Sequence, residues 1–548
     1  MVRDLTRLAD ATFDLLVVGG GIHGLAAAYD AARRGLSVAL VERDDLGGGS
    51  SFNHLKTLHG GLRSLQTGDL GKFRQAIRER RTLAHIAPHH VTPITFLLPT
   101  RRSLMRGRLA MRIAFLVDGL LSIDRNAGLP PAWRLPAGRV LDAAEARDHA
   151  AGHWDESANG AACWHDYQAP RTERLTLAVA RAAHEAGAVL ANYVEATSPL
   201  LAGGRVAGLR LRDALTGQEF DVHGRALLNA AGSGAPALRR ALGDRADLPL
   251  QKAMNLVTAR PWSGPALGAS HEGGTLFLVG WEGRLVVGTW HDERAAHPAS
   301  ATVTDDEVAR FLADVNRSFP RLRLRQDEIT LVHRGIVPGV RRADGRVAMR
   351  SRGDLVDHAG HGAANAYSLV GVKYTTGRAV AERAVDRVVA ALGRGARRGT
   401  TAEVPLPDAL GGDPGHEIAA ARRAFPRLDA AAASHLVLSY GTGWSRVVAC
   451  AAESGPDGLA AIAAPWPVVR AELRHAVRHE MAQTLTDVVV RRTRLGVAGH
   501  PGQAAAAAVA ALLAGELGWD ARRIGRELEA LRVFYAPIVR DAEPPRGA

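Results

Sequence analysis

The chain contains little cysteine and few aromatic residues, and each shortage excludes a class of protein. Two cysteines in 548 residues are too few for a zinc tetrad, an iron–sulfur cluster or a disulfide framework, so we expect a reducing compartment and no metal in the site. Aromatic residues make up 5% of the chain, and neither zinc-finger spacing nor an aromatic-rich RNA-binding strand is present. We therefore expect no nucleic acid among the partners.

Long apolar runs are also missing. The longest nearly unbroken run, residues 504–514, is mostly alanine and covers about half of the roughly 20 residues that a membrane-spanning helix requires. The charged segment 1–7 lacks the apolar core and cleavage site of a signal peptide. We therefore expect a cytoplasmic protein, with peripheral attachment to the inner face of the cytoplasmic membrane as a further option.

Arginine, in contrast, is abundant. Lysine and arginine together number 69 against 56 acidic residues, which gives a formal net charge of +13. Four of these basic residues are lysine: Lys56, Lys72, Lys252 and Lys373. Such a positive surplus fits nucleic acid, an anionic membrane surface or an acidic small substrate, and the missing nucleic-acid motifs favour the last two. With 47% hydrophobic and 23% charged residues, the composition is that of an ordinary globular protein.

Residues 13–42 have the pattern of a strand–helix–strand unit. An apolar strand enters a turn with glycines at the GxGxxG positions, Gly19, Gly21 and Gly24, and an alanine-rich helix and a second strand ending in Glu42 follow. The glycines permit a tight turn and let a pyrophosphate approach the helix N-terminus, and a terminal carboxylate accepts hydrogen bonds from ribose hydroxyls. The unit predicts a dinucleotide-binding site.

A second strand and turn, residues 225–232, ends in the small residues Ala231 and Gly232, which can lie against the same dinucleotide. Two such units are typical of FAD proteins. The block 50–63, Ser-Ser-Phe-Asn-His-Leu-Lys-Thr-Leu-His-Gly-Gly-Leu-Arg, resembles a motif of the FAD-dependent glycerol-3-phosphate dehydrogenases. Further segments resemble that family in its own order: 87–93, 163–166, 229–232, 288–289, 371–376 and 487–496.

The resemblance covers about residues 13–535 and implies a non-covalently bound FAD, hydride transfer from a secondary alcohol to flavin N5, and electron delivery to a membrane quinone. It implies these cofactor contacts: Gly19, Gly21, Gly24, Glu42, Ser50, Ser51, Lys56, His59, Gly60, Gly61, Val194, Ala231, Gly232, Lys373, Tyr374 and Thr375. Small residues in the loop 50–61 let backbone amides reach phosphate and flavin oxygens. Lys373 falls at a strand-to-helix junction, where a cation stabilises the negative charge of a reduced flavin.

The substrate pocket departs from the family. In the resemblance, the substrate contacts are Arg63, Lys252, Asn255, Lys373 and Thr376, with Arg63 matching the arginine that holds the substrate phosphate. Val337 stands where the family carries a substrate-contacting arginine, and Asn255 stands where it carries a histidine. Because an apolar valine cannot neutralise a phosphate dianion, either the substrate differs or a nearby cation substitutes.

Three residues are proposed as catalytic. Lys373 would face the flavin, and either His333 or His291 would accept the proton of the alcohol while hydride leaves its carbon. His333 lies four residues before Val337, so strand alternation places both on one face. A structural role for each histidine is the alternative, since the chain has 22 histidines.

The predicted fold is α/β, a two-dinucleotide-strand FAD-binding Rossmann-like domain with a mixed-sheet substrate-capping domain and a C-terminal α-helical domain. Residues 1–400 form the oxidoreductase region, residues 401–416, rich in proline and glycine, form a linker, and residues 417–548 form the helical domain. Within the first region, the segments that bind FAD are about 1–80, 165–250 and 340–400, and the capping domain is inserted between them.

A basic amphipathic stretch without acids, residues 101–116, can lie in an anionic membrane interface, or it can be an ordinary helix that covers the core. A homodimer is left open. The predicted function is FAD-dependent oxidation of glycerol 3-phosphate to dihydroxyacetone phosphate, or of a related hydroxylated anionic substrate. The alternatives are an oxidase or dehydrogenase of the same fold that acts on another alcohol or an amine, such as sarcosine or glycine, and a flavin-binding protein with a degenerate pocket.

Overall fold

The computed structural model describes residues 1–66, 68–103, 107–150, 152–271, 274–297, 301–395, 397–453, 457–497, 499–536 and 538–539. Helices α1 to α16 are Leu5–Asp10, Ile22–Arg33, Arg63–Gln66, Leu70–Ile86, Arg108–Leu121, Ala143–His149, Thr172–Glu185, Ala235–Ala241, Asp305–Ser318, Gly377–Ala391, Pro414–Ala424, Ala430–Tyr440, Trp444–Ala452, Arg470–Glu480, Gln503–Leu517 and Ala521–Tyr535.

Strands β1 to β22 are Thr12–Phe13, Leu15–Val18, Val38–Val41, Thr57–Leu58, Thr92–Thr100, Arg139–Leu141, Gly160–Gln168, Val189–Ala191, Val194–Ala202, Arg205–Asp213, Glu219–Gly224, Leu227–Asn229, Leu250–Pro261, Ala266–His271, Gly274–Trp281, Arg284–His291, Val303–Thr304, Ile329–Arg341, Val347–Met349, Asp354–Asp357, Ala366–Val370 and Ile538–Val539.

A doubly covered sheet in the order β20-β21-β12-β2-β3-β8 forms the first part of the fold. Its strands run parallel except for β20. Strands β2, β3 and β8 are apolar on both faces, as expected when both sides are buried. Helices α2, α7 and α10 pack on one face, and the sheet β1-β11-β10-β9 covers the other. The carboxyl ends of β2, β3, β12 and β21 meet at one edge, where ligands bind in such sheets.

A larger mixed sheet, which we call the cap sheet, has the order β19-β18-β13-β16-β15-β14-β5-β7-β4 with β6 beside β7. Strand β14 pairs in parallel with β5, and the other pairs are antiparallel. Helix α9 packs on one face through Val308, Phe311 and Val315. Helices α11 to α16 form the C-terminal helical domain, so the predicted fold class is confirmed.

The predicted linker 401–416 is a packed connection rather than a free one. Leu406 and Leu410 are buried, and the backbone N–H of Leu406 donates to the carbonyl of Ile86. Asp408 forms ion pairs with Arg181 and Arg446, and α11 already begins at Pro414. Residues 401–413 form neither a helix nor a strand, but composition does not show that the leucines between the prolines and glycines are buried.

Within the described part of the chain, no helix combines the length and the apolar character that crossing a bilayer requires.

Candidate active site

Two glycine-rich turns lie against each other at the ligand edge of the first sheet. A Cβ atom on Gly19 would lie 2.6 Å from the carbonyl oxygen of Ala230 and 2.8 Å from the Cα of Ala231. A Cβ on Gly24 would lie 1.9 Å from the carbonyl oxygen of Gly19. Gly232 has a positive φ of 55° at the second turn. Side chains are therefore excluded at Gly19 and Gly24, and both backbone turns stay open to a ligand.

The N-terminus of α2 faces this edge and has no side-chain cap of its own, since Gly21 occupies the N-cap position. Ser51 supplies the cap from the neighbouring loop, because its Oγ accepts a hydrogen bond of 3.0 Å from the backbone N–H of Ile22. A Cβ on Gly21 would lie 3.1 Å from that Oγ. The positive end of the helix and the hydroxyl together fit a phosphate.

Glu42 follows β3 at the same edge. Its carboxylate accepts hydrogen bonds from the backbone N–H of Gly20 at 2.6 Å and of Asp44 at 2.9 Å. Burial raises the pKa of Glu42. The predicted contact Val194 is buried, and its N–H donates to the carbonyl of Glu42 at 2.8 Å, so it holds the position of Glu42 through the backbone. The glycine turns, the helix end and this carboxylate fit FAD.

The His-Gly-Gly loop, residues 59–61, is anchored by a buried ion pair that sequence reasoning missed. The backbone N–H of Gly60 donates to Asp166 Oδ1 at 2.7 Å, and Arg80 binds the same oxygen. His59 Nδ1 lies 3.5 Å from Asp166 Oδ2. Burial opposes ionisation, yet Arg80 and His59 hold the pKa of Asp166 below its usual range. Gly61 follows with a φ of 79°, which favours glycine.

The Lys56 ammonium is bound inside the protein, so the cofactor contact that the resemblance implies for this residue is not made by its side chain. The side chain is fully buried, and Nζ donates to the carbonyl of Phe52 at 2.8 Å and to Thr172 Oγ1 at 2.9 Å. It also forms an ion pair with Glu173 of α7. Burial lowers the pKa of Lys56. The residue therefore fixes the shape of the loop 50–61 from the inside.

Lys252 is also misassigned as a substrate contact. Its Nζ lies 2.5 Å from Glu307 Oε1 on α9 and donates to the carbonyl of Thr302 at 3.1 Å. Asn255, three residues further along β13, lies on the opposite face of the cap sheet because side chains alternate along a strand. There its Oδ1 accepts a hydrogen bond of 2.8 Å from Thr289 Oγ1. Asn255 remains a predicted substrate contact, and Lys252 binds α9.

Strand β18 brings the cap sheet onto the loop that contains the serines. A Cβ on Gly335 would lie 2.8 Å from Ser50 Oγ, and this hydroxyl donates to the carbonyl of Ile336 at 3.0 Å. Strand alternation puts His333 and Val337 on the same face as Gly335. This face of the cap sheet therefore closes over the ligand edge of the first sheet.

His333 is enclosed, which contradicts its predicted role as the catalytic base. The side chain is 1% exposed, and the ring lies 6.2 Å from the Phe52 ring and 5.2 Å from the Trp281 ring. Burial and the charge of Lys56 hold its pKa well below the usual range, so the imidazole is neutral. A ring so enclosed has no path to a substrate.

His291 stays a hypothesis for the base. It ends β16 opposite Ala253 and is half-buried. The preceding residue, Trp290, packs against the α9 side of the cap sheet. Alternation therefore turns His291 toward the other side.

The junction between β21 and α10 borders a cationic cavity. Lys373, Thr376 and His23 line it together with Arg350 and Arg352. Burial lowers the pKa of His23 to about 4, so this histidine is neutral and the cationic lining residues are the lysine and the arginines. Arg350 pairs with Asp354, and Arg352 pairs with Asp69. His23 and the two arginines were not predicted, although His23 occupies a variable position of the GxGxxG motif. The cavity fits an anion.

The other predicted residues of this junction turn inward. Tyr374 Oη lies 3.0 Å from Thr176 Oγ1 on α7, and burial raises the pKa of the phenol. Thr375 is buried. Both can contact a cofactor through the backbone alone. Arg63 begins α3, and its side chain lies outside the described part of the chain.

The loop after β3 is clamped by the helical domain. Asp45 is fully buried and accepts hydrogen bonds from Arg491 Nε at 2.6 Å and from Arg492 Nη1 and Nη2, both at 2.7 Å. The N–H of Gly47 in the same loop donates to the carbonyl of Gly20 at 2.9 Å. The matched segment 487–496 contains both arginines, but nothing in the sequence alone indicates their partner.

The doubly wound sheet, the two glycine turns and the cap sheet define the class of an FAD-dependent oxidoreductase. Residues 14–387 match the family described as FAD dependent oxidoreductase, and residues 399–524 match the C-terminal domain of alpha-glycerophosphate oxidase. The chain belongs to the FAD-dependent glycerol-3-phosphate dehydrogenase family.

Named relatives agree with this assignment. A glycerol-3-phosphate dehydrogenase of Mycobacterium leprae is 32% identical, with 98% of this chain and 91% of the relative covered. The mitochondrial enzyme of Mus musculus is 30% identical, with 95% and 73% covered. The crystal structure of the Bacillus halodurans glycerol-3-phosphate dehydrogenase complexed with FAD superimposes with a TM-score of 0.77 at 25% identity, covering 98% of this chain and 97% of that chain.

A glycine oxidase from Geobacillus kaustophilus, whose class was the amine-oxidising alternative, shares the fold alone. Its TM-score is 0.50 at 20% identity, and 73% of this chain and all of that chain are covered. The matches confirm the predicted family, the enzyme class and FAD as the cofactor.

Proposed function

We propose that this enzyme oxidises the secondary alcohol of glycerol 3-phosphate to the ketone of dihydroxyacetone phosphate and passes the electrons to a membrane quinone. The observation that carries the proposal is the cationic cavity of Lys373, Arg350 and Arg352 at the ligand edge of the first sheet. The relatives' names support the same substrate. FAD, when bound, would accept the hydride from the alcohol carbon.

The cavity also offers cations that can replace the arginine which the family carries at the position of Val337. A phosphate dianion needs neighbouring cations, and guanidinium groups bind phosphate in bidentate geometry. Arg350 and Arg352 line the same cavity as Lys373 and would supply part of this charge; each also pairs with a carboxylate, Arg350 with Asp354 and Arg352 with Asp69. Lys373 would hold the phosphate, and the neutral His23 adds no charge of its own. His291 would accept the proton of the alcohol.

Anaerobic flavin bleaching tests the substrate. The purified holoenzyme is mixed with glycerol 3-phosphate, glycerol, a 2-hydroxy acid, glycine and sarcosine, and the flavin absorbance is followed. Reduction by glycerol 3-phosphate and not by glycerol is the expected result, because the cavity selects the anion. Reduction by glycine or sarcosine alone would favour an amine oxidase, and no reduction at all would favour a degenerate pocket.

Lys373→Met tests the cavity directly, with Lys72→Met as the matched control. Lys72 lies in the first turn of α4, where its backbone N–H donates to Asp69. We expect Lys373→Met to lower kcat/KM for glycerol 3-phosphate by about tenfold to a few hundredfold, since a charge-assisted hydrogen bond contributes roughly 1.5–3 kcal/mol. Lys72→Met leaves the rate unchanged. Equal rates in both variants would remove Lys373 from the substrate site.

Helix α5 supports a membrane contact for the quinone step. It exposes a continuous apolar stripe formed by Leu109, Ile113, Leu116, Val117 and Leu120. The inner face carries Met111 and Phe115, which are buried against the cap sheet. Methionine and phenylalanine thus cover the core while leucines face outward, so this helix packs on the core and also exposes an apolar face. Residues 104–106 of that stretch lie outside the described residues.

Arg112 lies exposed on this same helix, where it can meet lipid headgroups while the stripe enters the interface. Flotation with anionic vesicles tests the contact. We expect wild-type protein to float, and Leu116→Asp together with Leu120→Asp to abolish flotation. The control Leu201→Asp changes a half-exposed leucine on β9 and should float like wild type. Unchanged flotation of the α5 variant would exclude this helix as the contact.

A further inference from the structure

Away from the ligand edge, three side chains that can bind a metal meet in the helical domain. Cys450 belongs to α13, and His475 and His479 belong to α14. One ligand atom of each lies within 4.8 Å of those of the other two. The two histidines are four residues apart, so they share one face of the helix, and their ring centroids are 5.1 Å apart.

His475 has the surroundings of a ligating histidine. Its Nε2 lies 3.7 Å from Glu480 Oε1. Its Nδ1 is buried and has no hydrogen-bond partner among the described residues. Histidines that bind a metal through one nitrogen commonly direct the other nitrogen to a carboxylate, which orients the ring. A buried nitrogen without a partner is costly, and a bound cation would remove that cost.

We propose that Cys450, His475 and His479 bind a zinc ion, with water in the fourth position. A thiolate and two imidazoles are donors that zinc prefers. The Cys450 thiol now donates to the carbonyl of Arg446 at 3.4 Å. On binding, its proton is released to solvent and the sulfur, with both neutral imidazoles, donates to the metal. Because ligand atoms of a tetrahedral zinc lie roughly 3.3–3.6 Å apart, small side-chain rotations complete the site.

The ion would join α13 to α14 next to the contact between the two domains. Glu480, which faces His475, also binds Arg174 of α7 through two hydrogen bonds of 2.8 and 2.7 Å. A zinc ion at His475 would therefore fix the end of α14 that docks on the FAD-binding region. His479 is exposed, which gives the ion a path from solvent.

A second group of possible ligands, Asp244, His358 and His361, serves as the comparison. There the carboxylate of Asp244 is already bound by Arg239 through hydrogen bonds of 2.9 and 2.6 Å. The buried guanidinium neutralises the carboxylate and repels a further cation. The geometry therefore favours the cysteine site over the aspartate site.

Zinc binding to the purified holoenzyme tests the proposal. The protein is stripped with a chelator that leaves FAD bound, dialysed against buffered micromolar zinc, and analysed for metal by mass spectrometry. Wild type and the control His361→Ala are expected to bind a single zinc ion per chain with equal affinity. Cys450→Ser and His479→Ala are expected to bind at least about tenfold more weakly. Unchanged flavin content shows that each variant has folded.

Cobalt provides a second measurement. In difference spectra against the metal-free holoenzyme, wild type and His361→Ala should show thiolate-to-cobalt charge transfer, and Cys450→Ser should not. The proposal is overturned if wild type retains no zinc under these conditions, if Cys450→Ser and His479→Ala bind as tightly as wild type, or if His361→Ala is the variant that loses the metal.

Discussion

At the scale of single residues, the two glycine-rich turns that fit FAD depend on the absence of side chains. Gly19, Gly24 and the turn at Ala230 approach so closely that backbone atoms take the place a Cβ would fill. The GxGxxG motif identifies these glycines because the need for glycine is local. The end of the second strand identifies Glu42 in the same way. Such requirements are visible in a sequence since they involve residues that are neighbours along the chain.

Gly24→Ala is expected to release FAD. Its Cβ would lie 1.9 Å from the carbonyl oxygen of Gly19, and the backbone shift that relieves this contact costs about 1–3 kcal/mol and displaces the turn that meets the phosphates. The bound flavin per chain, measured by absorbance, should fall sharply. Gly49→Ala is the control because no atom lies within 4 Å of the added Cβ. Full flavin content in Gly24→Ala would show that the turn tolerates the shift.

The lysines show what a sequence does not reveal at this scale. The resemblance implies that Lys56 contacts the cofactor and Lys252 the substrate, and both side chains are instead buried. Their partners are Glu173 and Glu307, which lie far away along the chain. A buried ammonium and an active-site ammonium give the same sequence signal, and the distant carboxylate that distinguishes them is known only from the fold.

At the scale of elements, the strand–helix–strand unit was predictable because hydrophobic periodicity and turn residues are local. The order of the cap sheet was not, since β5 pairs in parallel with β14 and antiparallel with β7 across long stretches of chain. The position of the loop after β3 was likewise not predictable from the sequence. Its sequence predicts phosphate contacts at Ser50 and Ser51, whereas its position is set by Asp45 and two arginines of the helical domain.

Asp45→Asn should loosen this loop and weaken FAD binding. The substitution leaves Arg492 without a carboxylate partner, whereas Arg491 keeps its ion pair with Asp487. Breaking a buried ion pair costs about 3–5 kcal/mol. We expect a lower Tm and a raised Kd for FAD, measured by the fluorescence of released flavin.

The neighbouring Asp44→Asn provides the control, because the Asp44 side chain is 69% exposed and pairs with an exposed Arg43. An exposed pair of this kind contributes little to stability. If Asp45→Asn lowers Tm but binds FAD as tightly as wild type, the ion pairs of Asp45 stabilise the domain contact without shaping the cofactor site.

At the scale of the whole molecule, the helical domain is held on the FAD-binding region by buried charges. Glu480 at the end of α14 faces Arg174 of α7, His475 of its own helix, and Arg492, which also binds Asp45. Burial alone would raise the pKa of Glu480, but Arg174 and His475 lower it to about 2. The C-terminal helices are therefore part of the enzyme's stability rather than an appendage.

This arrangement predicts a specific response to acid. A carboxyl group whose pKa is lower in the folded state than its ordinary 4.5 stabilises the fold fully above pH 4.5 and loses that contribution as the pH falls toward 2. The difference between pKa values of about 4.5 and 2 corresponds to about 3 kcal/mol. Wild type should therefore exceed Glu480→Gln in Tm at neutral pH, and the gap should shrink as the pH falls below 4.5.

Thermal unfolding of both proteins at neutral pH, at pH 4.5 and at pH 3, with a chelator present because Glu480 faces His475, measures the gap. Glu453→Gln is the control, since this carboxylate binds Arg478 in an exposed pair and should change Tm little at any of these pH values. A gap between wild type and Glu480→Gln that stays constant from neutral pH to pH 3 would mean that Glu480 is not ionised in the folded protein. The two domains would then be held together by packing and by the ion pairs of Asp45 with Arg491 and Arg492 instead.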